Sequence, residues 1–457
     1  MPTAPDTAQE PSRQKARRRA IVLGVTALYL ALSLLIFAKA SPEERFQTDS
    51  WGYLTAAQQF GEHTSEAYAL RMPGYPLFLK LFLDAENRLA SGLVLAVQTL
   101  LALLTALLAQ RLYAEITGKP GVAVYALTLL NPGALFFPQL LLTEVPFAFL
   151  LALHSLFVLR CLRGAGLGQL AGAALSGFLL YLVKPQGLGV YALSLCVAAC
   201  ATLARRGWRE GLKLCLLGAG LFLLPVLGFL WVKHAATGDW TLVPTSYSTM
   251  ITSELLTGIE SKLASYPLPD QNELRRRGRE HARQELGIAA DRWRQYSELE
   301  QQRLVADNIA RLVAGYGVKP LAKGLLSSVY AFFVDDPGGM VLALGLPNAS
   351  LRDFAQGLAR GEPRAAGQAQ AVAIKAGVYL FSCAKMLLVA LAVLVMLKAL
   401  PAAESLLLAA QILLALASCN VMAYPRFRFP VDPLLHVLIA VHALPAARRA
   451  LQSLRGR

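Results

Sequence analysis

Residues 93–110, LVLAVQTLLALLTALLAQ, form a run of eighteen positions without a charged side chain. An α-helix rises about 1.5 Å per residue, so about 20 apolar residues cross the roughly 30 Å hydrocarbon core of a membrane. The sequence therefore predicts an all-α integral membrane protein, a polytopic bundle of about ten transmembrane helices with helical outer loops. We place the spans near 21–38, 93–110, 122–138, 143–160, 169–183, 186–203, 214–232, 376–398, 405–422 and 431–446.

The composition points the same way. The chain has 457 residues, of which 55% are hydrophobic and only 16% charged, which disfavours an ordinary water-soluble globular protein. The net charge of +15 does not indicate a nucleic-acid partner, because the arginines and lysines lie mostly in short segments between apolar runs. Examples are Arg17, Arg111, Arg163, Arg205 and Arg448, which all fall on one side of the membrane if both chain ends are cytoplasmic.

The six cysteines lie in or beside apolar helices, so we expect neither a disulfide framework nor a zinc site. The basic start followed by an apolar segment also suits a cleavable signal peptide. Its apolar core, residues 21–38, exceeds the usual 7–15 residues, so a retained first span is favoured.

The chain divides into three parts by composition. Residues 1–232 form an N-terminal transmembrane core with a first outer loop at 39–92, and 376–457 form the C-terminal transmembrane helices. Between them lies a long outer region, 233–375, whose interleaved acids and bases predict a solvated amphipathic surface. Pro132-Gly133 and the segment 184–187, KPQG, predict broken helix ends that protein or a wet cavity must cover.

The first outer loop carries the strongest candidate site. It contains residues 49–53, DSWGY, and residues 71–76, RMPGYP. Asp49 and Tyr53 are four residues apart, so on a helix they share one face. Arg71 precedes a turn that contains Tyr75. Charged groups beside an apolar span are costly to desolvate, which favours a functional site. The alternatives are a helix cap for Asp49 and a headgroup anchor for Arg71.

Four more charged residues fall at outer helix ends. Glu144 begins the fourth span, where a carboxylate is also simply favourable at a helix N-terminus. Lys184 follows the fifth span, and Arg426 and Arg428 lie in a rigid aromatic loop, residues 424–430, YPRFRFP. Arginine suits phosphate, although such side chains commonly extend to the interface for solvation alone.

Sugar transfer from a polyprenyl phosphate to a hydroxyl needs this set of residues. The acceptor loses a proton, for which a carboxylate such as Asp49 can act as general base. A phosphate leaves with growing negative charge, which arginine or lysine stabilises. The donor's lipid tail stays in the bilayer, so the reaction belongs at the membrane surface.

The order of these motifs resembles the GT-C superfamily of membrane glycosyltransferases. More narrowly, it is similar to bacterial ArnT-like aminoarabinose transferases and protein O-mannosyltransferases, of the glycosyltransferase family 39 type. The resemblance implies a GT-C fold and a multi-pass enzyme of the bacterial inner membrane with a periplasmic active site and an inverting mechanism. Asp49 and Glu144 would take the catalytic positions, and the substrate-binding residues would be Tyr53, Arg71, Tyr75, Lys184, Arg426 and Arg428.

The resemblance implies further partners but no fixed cofactor. The donor would be a polyprenyl-phosphate-linked sugar, and the acceptor a glycan, a lipid or a protein. Many relatives carry two adjacent acids in the first loop, whereas Asp49 is followed by Ser50. We therefore assign no metal ligand and leave a divalent cation as an open alternative.

Two other functions fit part of the pattern. A flippase or transporter of lipid-linked sugars would need the same bases, but with internal repeats and polar residues at mid-membrane. An O-antigen ligase or polymerase would also combine a large outer loop with arginines. The polar residues at the outer helix ends and the early acid of the first loop favour the transferase.

Overall fold

The computed structural model describes residues 12–41, 45–61, 64–164, 166–244, 255–261, 263–264, 270–333, 341, 346, 366–398, 402–419 and 428–455. Within these ranges the regular structure is helical, apart from one isolated antiparallel bridge between Leu83 and Leu89. The prediction of an all-α protein is therefore confirmed.

The first part of the chain contains eleven of the described helices. They are α1 (Ser12–Lys39), α2 (Thr48–Gln59), α3 (Thr64–Leu70), α4 (Gly74–Lys80), α5 (Ser91–Thr117), α6 (Val122–Leu129), α7 (Pro132–Phe136), α8 (Glu144–Leu162), α9 (Leu167–Val183), α10 (Gln186–Arg206) and α11 (Trp208–Thr237). Helix α5 packs against α8 as well as against α6.

The second part contains shorter helices followed by the last apolar ones. They are α12 (Gln271–Glu285), α13 (Ala290–Gln295), α14 (Glu298–Asp307), α15 (Ile309–Gly315), α16 (Val318–Phe333), α17 (Ala366–Lys398), α18 (Ala403–Cys419), α19 (Asp432–Leu438) and α20 (Leu444–Arg455). A 3₁₀ turn, Phe429–Val431, precedes α19, and a π-helical segment, Ile439–Ala443, joins α19 to α20.

Seven of the described helical segments are long and apolar enough to cross a membrane. They comprise α1, α5, α8, α10, α11, α17 and the segment Phe429–Ala450. The predicted spans at 169–183 and 405–422 correspond to α9 and α18, which are apolar but shorter. A multi-pass membrane protein is thus confirmed, whereas the described residues give seven candidate spans, or eight if a bent helix pair is counted as one, instead of the predicted ten.

The predicted span at 122–138 is broken. Helix α6 ends at Leu129, and the following pair of helical turns, Pro132–Gln139, is bent from it by 59°. Asn131 caps the second piece, since its side-chain oxygen accepts from the Gly133 amide at 3.3 Å. The break falls at the Pro132-Gly133 interruption, because proline cannot continue the hydrogen-bond ladder of the preceding turn.

Helix α8 lies at the centre of the bundle. In its most apolar window 72% of the residues are buried, compared with 17% for α1 and α17 and 22% for α11. Leu151 and Leu159 of α8 join a core that also contains Leu180 of α9 and Leu434 of α19. The outer helices keep large leucines exposed, which suits side chains that face lipid.

The bundle has two distinguishable ends. Phe37 at the close of α1 lies against Gly92 at the start of α5, and Glu144 at the start of α8 contacts Lys184. We call this end, which also carries α2, the Asp49 end.

The opposite end, called the terminal end, collects basic residues. Glu115 of α5 pairs there with Arg111 at 3.1 Å and with Arg160 and Arg163, each at 3.3 Å. Arg205 donates to the Leu162 carbonyl oxygen at 3.3 Å. The structure thus brings to one end the basic segments that the sequence places on one side of the membrane.

The long outer region contains a small core of its own. Leu256, Ile259, Ala282 and Trp293 pack together with residues of α14 and α15. On α12, Glu273 pairs with Arg276 and Arg277 along the same exposed face. These pairs agree with the predicted solvated amphipathic surface. Helix α16 ends differently, because Phe332 is fully buried in the core of the bundle.

Candidate active site

Helix α2 carries the first acid and the first aromatic of the candidate site. Asp49 lies in the first turn of the helix and Tyr53 follows one turn later, as the four-residue spacing predicts. Gln47 holds the N-cap position, so Asp49 is not the cap residue. The Asp49 carboxylate accepts a hydrogen bond from Arg71 Nη2 at 3.1 Å. Its side chain keeps 30% of its surface exposed, so solvent and ligands can reach it.

The turn between α3 and α4 places Arg71 against α2. The guanidinium lies 5.2 Å from the centre of the Tyr53 ring, within the range of a cation–π contact. It also packs on Gly52, where an added Cβ would stand only 2.8 Å from Nη2. Among the described residues Arg71 Nε, which is buried, has no hydrogen-bond partner. A guanidinium has five N–H donors, and this one keeps 14% exposure, so it can bind an anion in addition to Asp49.

Tyr75 of α4 lies beneath Tyr53. The two rings meet edge to face with centres 5.1 Å apart, and Tyr75 is completely buried. Its hydroxyl donates to Gln98 Oε1 of α5 at 2.9 Å. Gln98 in turn donates to the carbonyl oxygens of Pro138 and Leu140, at 3.1 and 2.7 Å. This chain of hydrogen bonds fixes α4 to the first apolar helices, so Tyr75 supports Tyr53 from below.

Glu144 and Lys184 form a second, more deeply buried pair. Lys184 Nζ lies 3.1 Å from Glu144 Oε1, with side-chain exposures of 11% and 0%. Thr143 also donates to Glu144 Oε2 at 3.4 Å. Buried charges of this kind are retained only when they are paired, since an isolated one would be very costly. The pair joins the start of α8 to the turn between α9 and α10.

The two pairs belong to one region. Burial raises the pKa of the Tyr75 phenol well above its usual value. The nearby charge of Glu144 raises this pKa further, and Tyr53 makes a smaller contribution in the same direction. Gly74, beside Tyr75, lies so close to the end of α9 that a Cβ would stand 2.7 Å from the Leu182 carbonyl. The structure therefore brings Asp49, Tyr53, Arg71, Tyr75, Glu144 and Lys184 to the Asp49 end.

A crevice too narrow for a water molecule runs from Arg71 toward α11. Tyr68, Phe229 and Lys233 line it together with the segment 242–244. Lys233 is almost fully buried and donates to Asp239 at 3.0 Å and to the Thr241 carbonyl oxygen at 2.6 Å. Sequence analysis did not single out Lys233. Its signal is a lysine at the end of an apolar helix with an aspartate six residues later.

Arg428 lies in a different environment from the one expected of a phosphate ligand. Only 1% of it is exposed, Nε donates to Asp432 Oδ1 at 2.7 Å and Nη1 donates to the Phe332 carbonyl oxygen at 2.9 Å. Asp432 also accepts from Asn131 Nδ2 at 2.7 Å and lies 3.7 Å from Lys385 Nζ. Arg426 lies outside the described residues, so its predicted role stays a prediction.

Sequence analysis also missed Asp432 and Lys385. The available signal for Asp432 was its spacing of four residues from Arg428, which puts an acid and a base on one helix face. For Lys385 the signal was a cation inside an apolar segment. As to metals, no group of three or more potential ligands (His, Cys, Asp or Glu) occurs among the residues that the structure describes. The open alternative of a divalent cation thus gains no candidate ligand set there.

Comparisons with known proteins find a likeness among solved structures. No protein-family model matches the chain, and no curated protein matches it at a significant level. Among solved structures, the chain is similar to the crystal structure of ArnT from Cupriavidus metallidurans in the apo state. The identity is 16% and the TM-score 0.35, and the match covers 91% of this chain and 78% of that one.

Proposed function

We propose that the protein is a GT-C-type glycosyltransferase, which transfers a sugar from a polyprenyl-phosphate donor to an acceptor hydroxyl at the periplasmic face of the bacterial inner membrane. The observation that supports this proposal is the ion pair between Asp49 and Arg71. It joins a reachable carboxylate to a partly exposed guanidinium, at the end of a bundle of apolar helices. A lipid-borne phosphate would meet water at such a place.

The proposed reaction is a single displacement. The acceptor oxygen forms a bond to the anomeric carbon, the bond from that carbon to the phosphate oxygen breaks, and the polyprenyl phosphate leaves with both electrons. Asp49 takes the hydroxyl proton as general base, and Arg71 balances the charge on the departing phosphate. Because acceptor and leaving group lie on opposite faces of the sugar, the anomeric centre inverts.

The remaining residues divide by their exposure. Tyr53 offers its ring beside Arg71 and is proposed to contact the sugar. Glu144 and Lys184 are buried against each other, so we assign them to positioning the turn near Tyr75, with the Lys184 ammonium as a further phosphate contact. Arg426 stays a proposed phosphate ligand. Arg428 holds Asp432 in this structure and is proposed to shape the site instead of binding the donor directly.

A transporter of lipid-linked sugars is the second candidate. The observation that favours it is the buried cluster of Arg428, Asp432 and Lys385 within apolar helices, because ionisable residues inside a membrane often mark a transport path. Such a protein would move the donor across the bilayer without breaking its glycosidic bond.

The test uses the purified full-length protein in liposomes with a panel of synthetic polyprenyl-phosphate sugars. Mass spectrometry measures the release of free polyprenyl phosphate, in the presence and absence of EDTA. We expect Asp49→Asn to lower release by about 10²- to 10⁴-fold, the usual contribution of a general base. The matched control is Asp84→Asn, because Asp84 pairs with Arg88 at 3.0 Å in the same loop but is exposed.

The outcomes separate the candidates. Full release by Asp49→Asn would exclude Asp49 as the base. Transfer of intact donor between the leaflets, without any release by the wild-type protein, would instead support the transporter.

A further inference from the structure

A pocket of about 330 Å³ lies at the terminal end of the bundle, far from the candidate active site. It lies between the start of α1, the turn from α5 into α6, and the start of α20. Tyr113 lines it, whereas Gln98, which supports the active-site tyrosines, is fifteen residues earlier on the same helix. At 1.5 Å per residue the two positions are about 22 Å apart along α5.

Three cationic side chains line this pocket, each from a different element. They are Arg18 of α1, Lys119 of the turn after α5, and Arg448 of α20. No acidic residue lines it in the part of the chain that the structure describes. The nearest acid of α5, Glu115, is already engaged by three other arginines. Lys119 and Arg448 add like charges beside Arg18, and a concentration of positive charge at one pocket attracts an anion.

The start of α6 adds a further positive contribution. Ala123 and Val124 of its first turn line the pocket, and the first amides of a helix have no partners within the helix. Gly121, just before, fits tightly, because a Cβ there would lie 2.9 Å from Tyr113 and 3.0 Å from the Gln110 carbonyl oxygen. This close turn brings the helix start to the cations. Helix starts and cations together are a common way to bind phosphate.

The remaining lining is apolar. Val124, Ala440 and Leu444 form it, and Val124 and Ala440 are buried in the bundle. The pocket therefore combines a cationic rim with an apolar wall, which fits an amphiphilic anion better than a small hydrophilic one.

We propose that this pocket is a regulatory or structural binding site for a phosphate-bearing ligand, separate from the active site. Two sources share this chemistry: the headgroup of an anionic phospholipid, and a soluble phosphate or pyrophosphate compound. Basic pockets between membrane helices are suited to anionic headgroups.

The test compares two triple variants of equal charge. The pocket variant is Arg18→Gln with Lys119→Gln and Arg448→Gln, and the control is Lys15→Gln with Arg17→Gln and Arg449→Gln, none of which lines the pocket. Native mass spectrometry counts the lipids retained from neutral phosphatidylcholine and from anionic phosphatidylglycerol. A parallel thermal-shift series adds inorganic phosphate and pyrophosphate in neutral detergent.

We expect the wild-type protein and the control variant to retain phosphatidylglycerol at least tenfold better than the pocket variant. Stabilisation by pyrophosphate alone, lost in the pocket variant only, would identify a soluble ligand instead. The proposal is overturned if the pocket variant binds both anions like the wild-type protein, or if the control variant loses as much binding as the pocket variant. Neither result depends on transferase activity, so failure here leaves the proposed function untouched.

Discussion

At the scale of single residues, the missing side chain of Gly52 lets Arg71 reach the proposed base, Asp49. It sits on α2 between Asp49 and Tyr53, and the guanidinium of Arg71 occupies the space that a side chain would take. An arginine can therefore reach Asp49 by lying flat across the helix. Any side chain at position 52 would compete with the cation for that surface.

We predict that Gly52→Ala reduces transfer at least tenfold without lowering stability. The new methyl group would stand 2.8 Å from Arg71 Nη2, so the guanidinium must move away from Asp49. Alanine also favours helix by about 1 kcal/mol over glycine, so the unfolding temperature should not fall. The measurements are polyprenyl phosphate release and thermal unfolding.

The control for this variant is Gly220→Ala in α11, where a Cβ meets nothing within 4 Å. It should keep full activity and gain a little stability. Wild-type transfer by Gly52→Ala would show that the position of Arg71 is not needed.

Sequence alone selected six residues that the structure brings to the Asp49 end, but it did not predict their pairing. Asp49 and Arg71 are 22 residues apart and Glu144 and Lys184 are 40 apart, so their contacts depend on how the helices pack. Only the shared face of Asp49 and Tyr53 followed from local spacing. The sequence predicts that Arg428 binds a ligand, whereas in the structure it pairs with Asp432, one helical turn later.

At the scale of helices, two turns hold the Asp49 end together. The turn from α9 to α10 presents Lys184, and the segment after α11 encloses Lys233. The first is a short break between apolar helices whose backbone comes very close to a neighbour, and the second follows an apolar helix and surrounds an almost buried lysine. Changes in these turns should therefore affect the site without touching its acids.

Gly187→Ala should destabilise the protein by about 3 kcal/mol, the upper range for overpacking. A Cβ there would stand 2.3 Å from the Leu180 carbonyl carbon, and backbone cannot move aside as a flexible side chain can. The change should separate α9 from α10 and shift Lys184 from Glu144. The measurement is unfolding in detergent, compared with Gly189→Ala, which meets only the Leu414 side chain at 3.4 Å. Equal stability of the two variants would contradict the prediction.

The Lys233–Asp239 pair provides a pH-dependent prediction. Burial opposes the charge of Asp239, but hydrogen bonds from Thr241 and Lys233 outweigh it and lower the pKa of this carboxyl to about 2 from 3.8. Because the folded-state pKa is depressed, the stabilisation is fully present above pH 3.8 and is lost as the pH falls through about 2.

At neutral pH, Asp239→Asn should therefore lower the free energy of unfolding by about 1–3 kcal/mol and so unfold at a lower temperature than the wild-type protein. The difference should stay constant above pH 4 and shrink between pH 4 and pH 2. Thermal unfolding of both proteins across this range measures it. A gap that widens on acidification would show that Asp239 does not act as the charged partner.

The helices themselves were predictable because a span is a local property. Apolar length alone marks it, and seven of the predicted segments coincide with helices long and apolar enough to cross a membrane. The shortness of α9 and the 59° break after α6 required more than apolar length, although Pro132-Gly133 indicated the place of the break. The small core of the long outer region was not foreseen, since its residues are scattered between polar ones.

At the scale of the whole molecule, one buried network connects distant parts of the chain. Arg428 donates to the last turn of α16, Asp432 begins α19, Lys385 comes from α17, and Asn131 from the break after α6. The long outer region is thereby tied to both halves of the transmembrane bundle. Such a network is costly to disturb because each charge relies on the others.

We expect Asp432→Asn to cost about 3–5 kcal/mol, as when one partner of a buried ion pair is removed. Arg428 and Lys385 would lose their shared counter-charge in a site where Arg428 is only 1% exposed. The control is Asp84→Asn, whose pair with Arg88 is solvent-exposed and should change stability by less than about 1 kcal/mol. Chemical unfolding of both variants in the same detergent gives the comparison. Similar losses of stability in the two variants would show that the network does not hold the two halves of the bundle together.

The side chain of Asn131 works in two directions at once. Its oxygen accepts a hydrogen bond from the Gly133 amide, and its nitrogen donates a hydrogen bond to the Asp432 carboxylate. Aspartate in its place would still accept from Gly133, but its charge would repel Asp432. Leucine could form neither hydrogen bond. A short carboxamide can cap a helix start and donate to an acid at the same time. One residue therefore links the break after α6 to the buried network around Asp432.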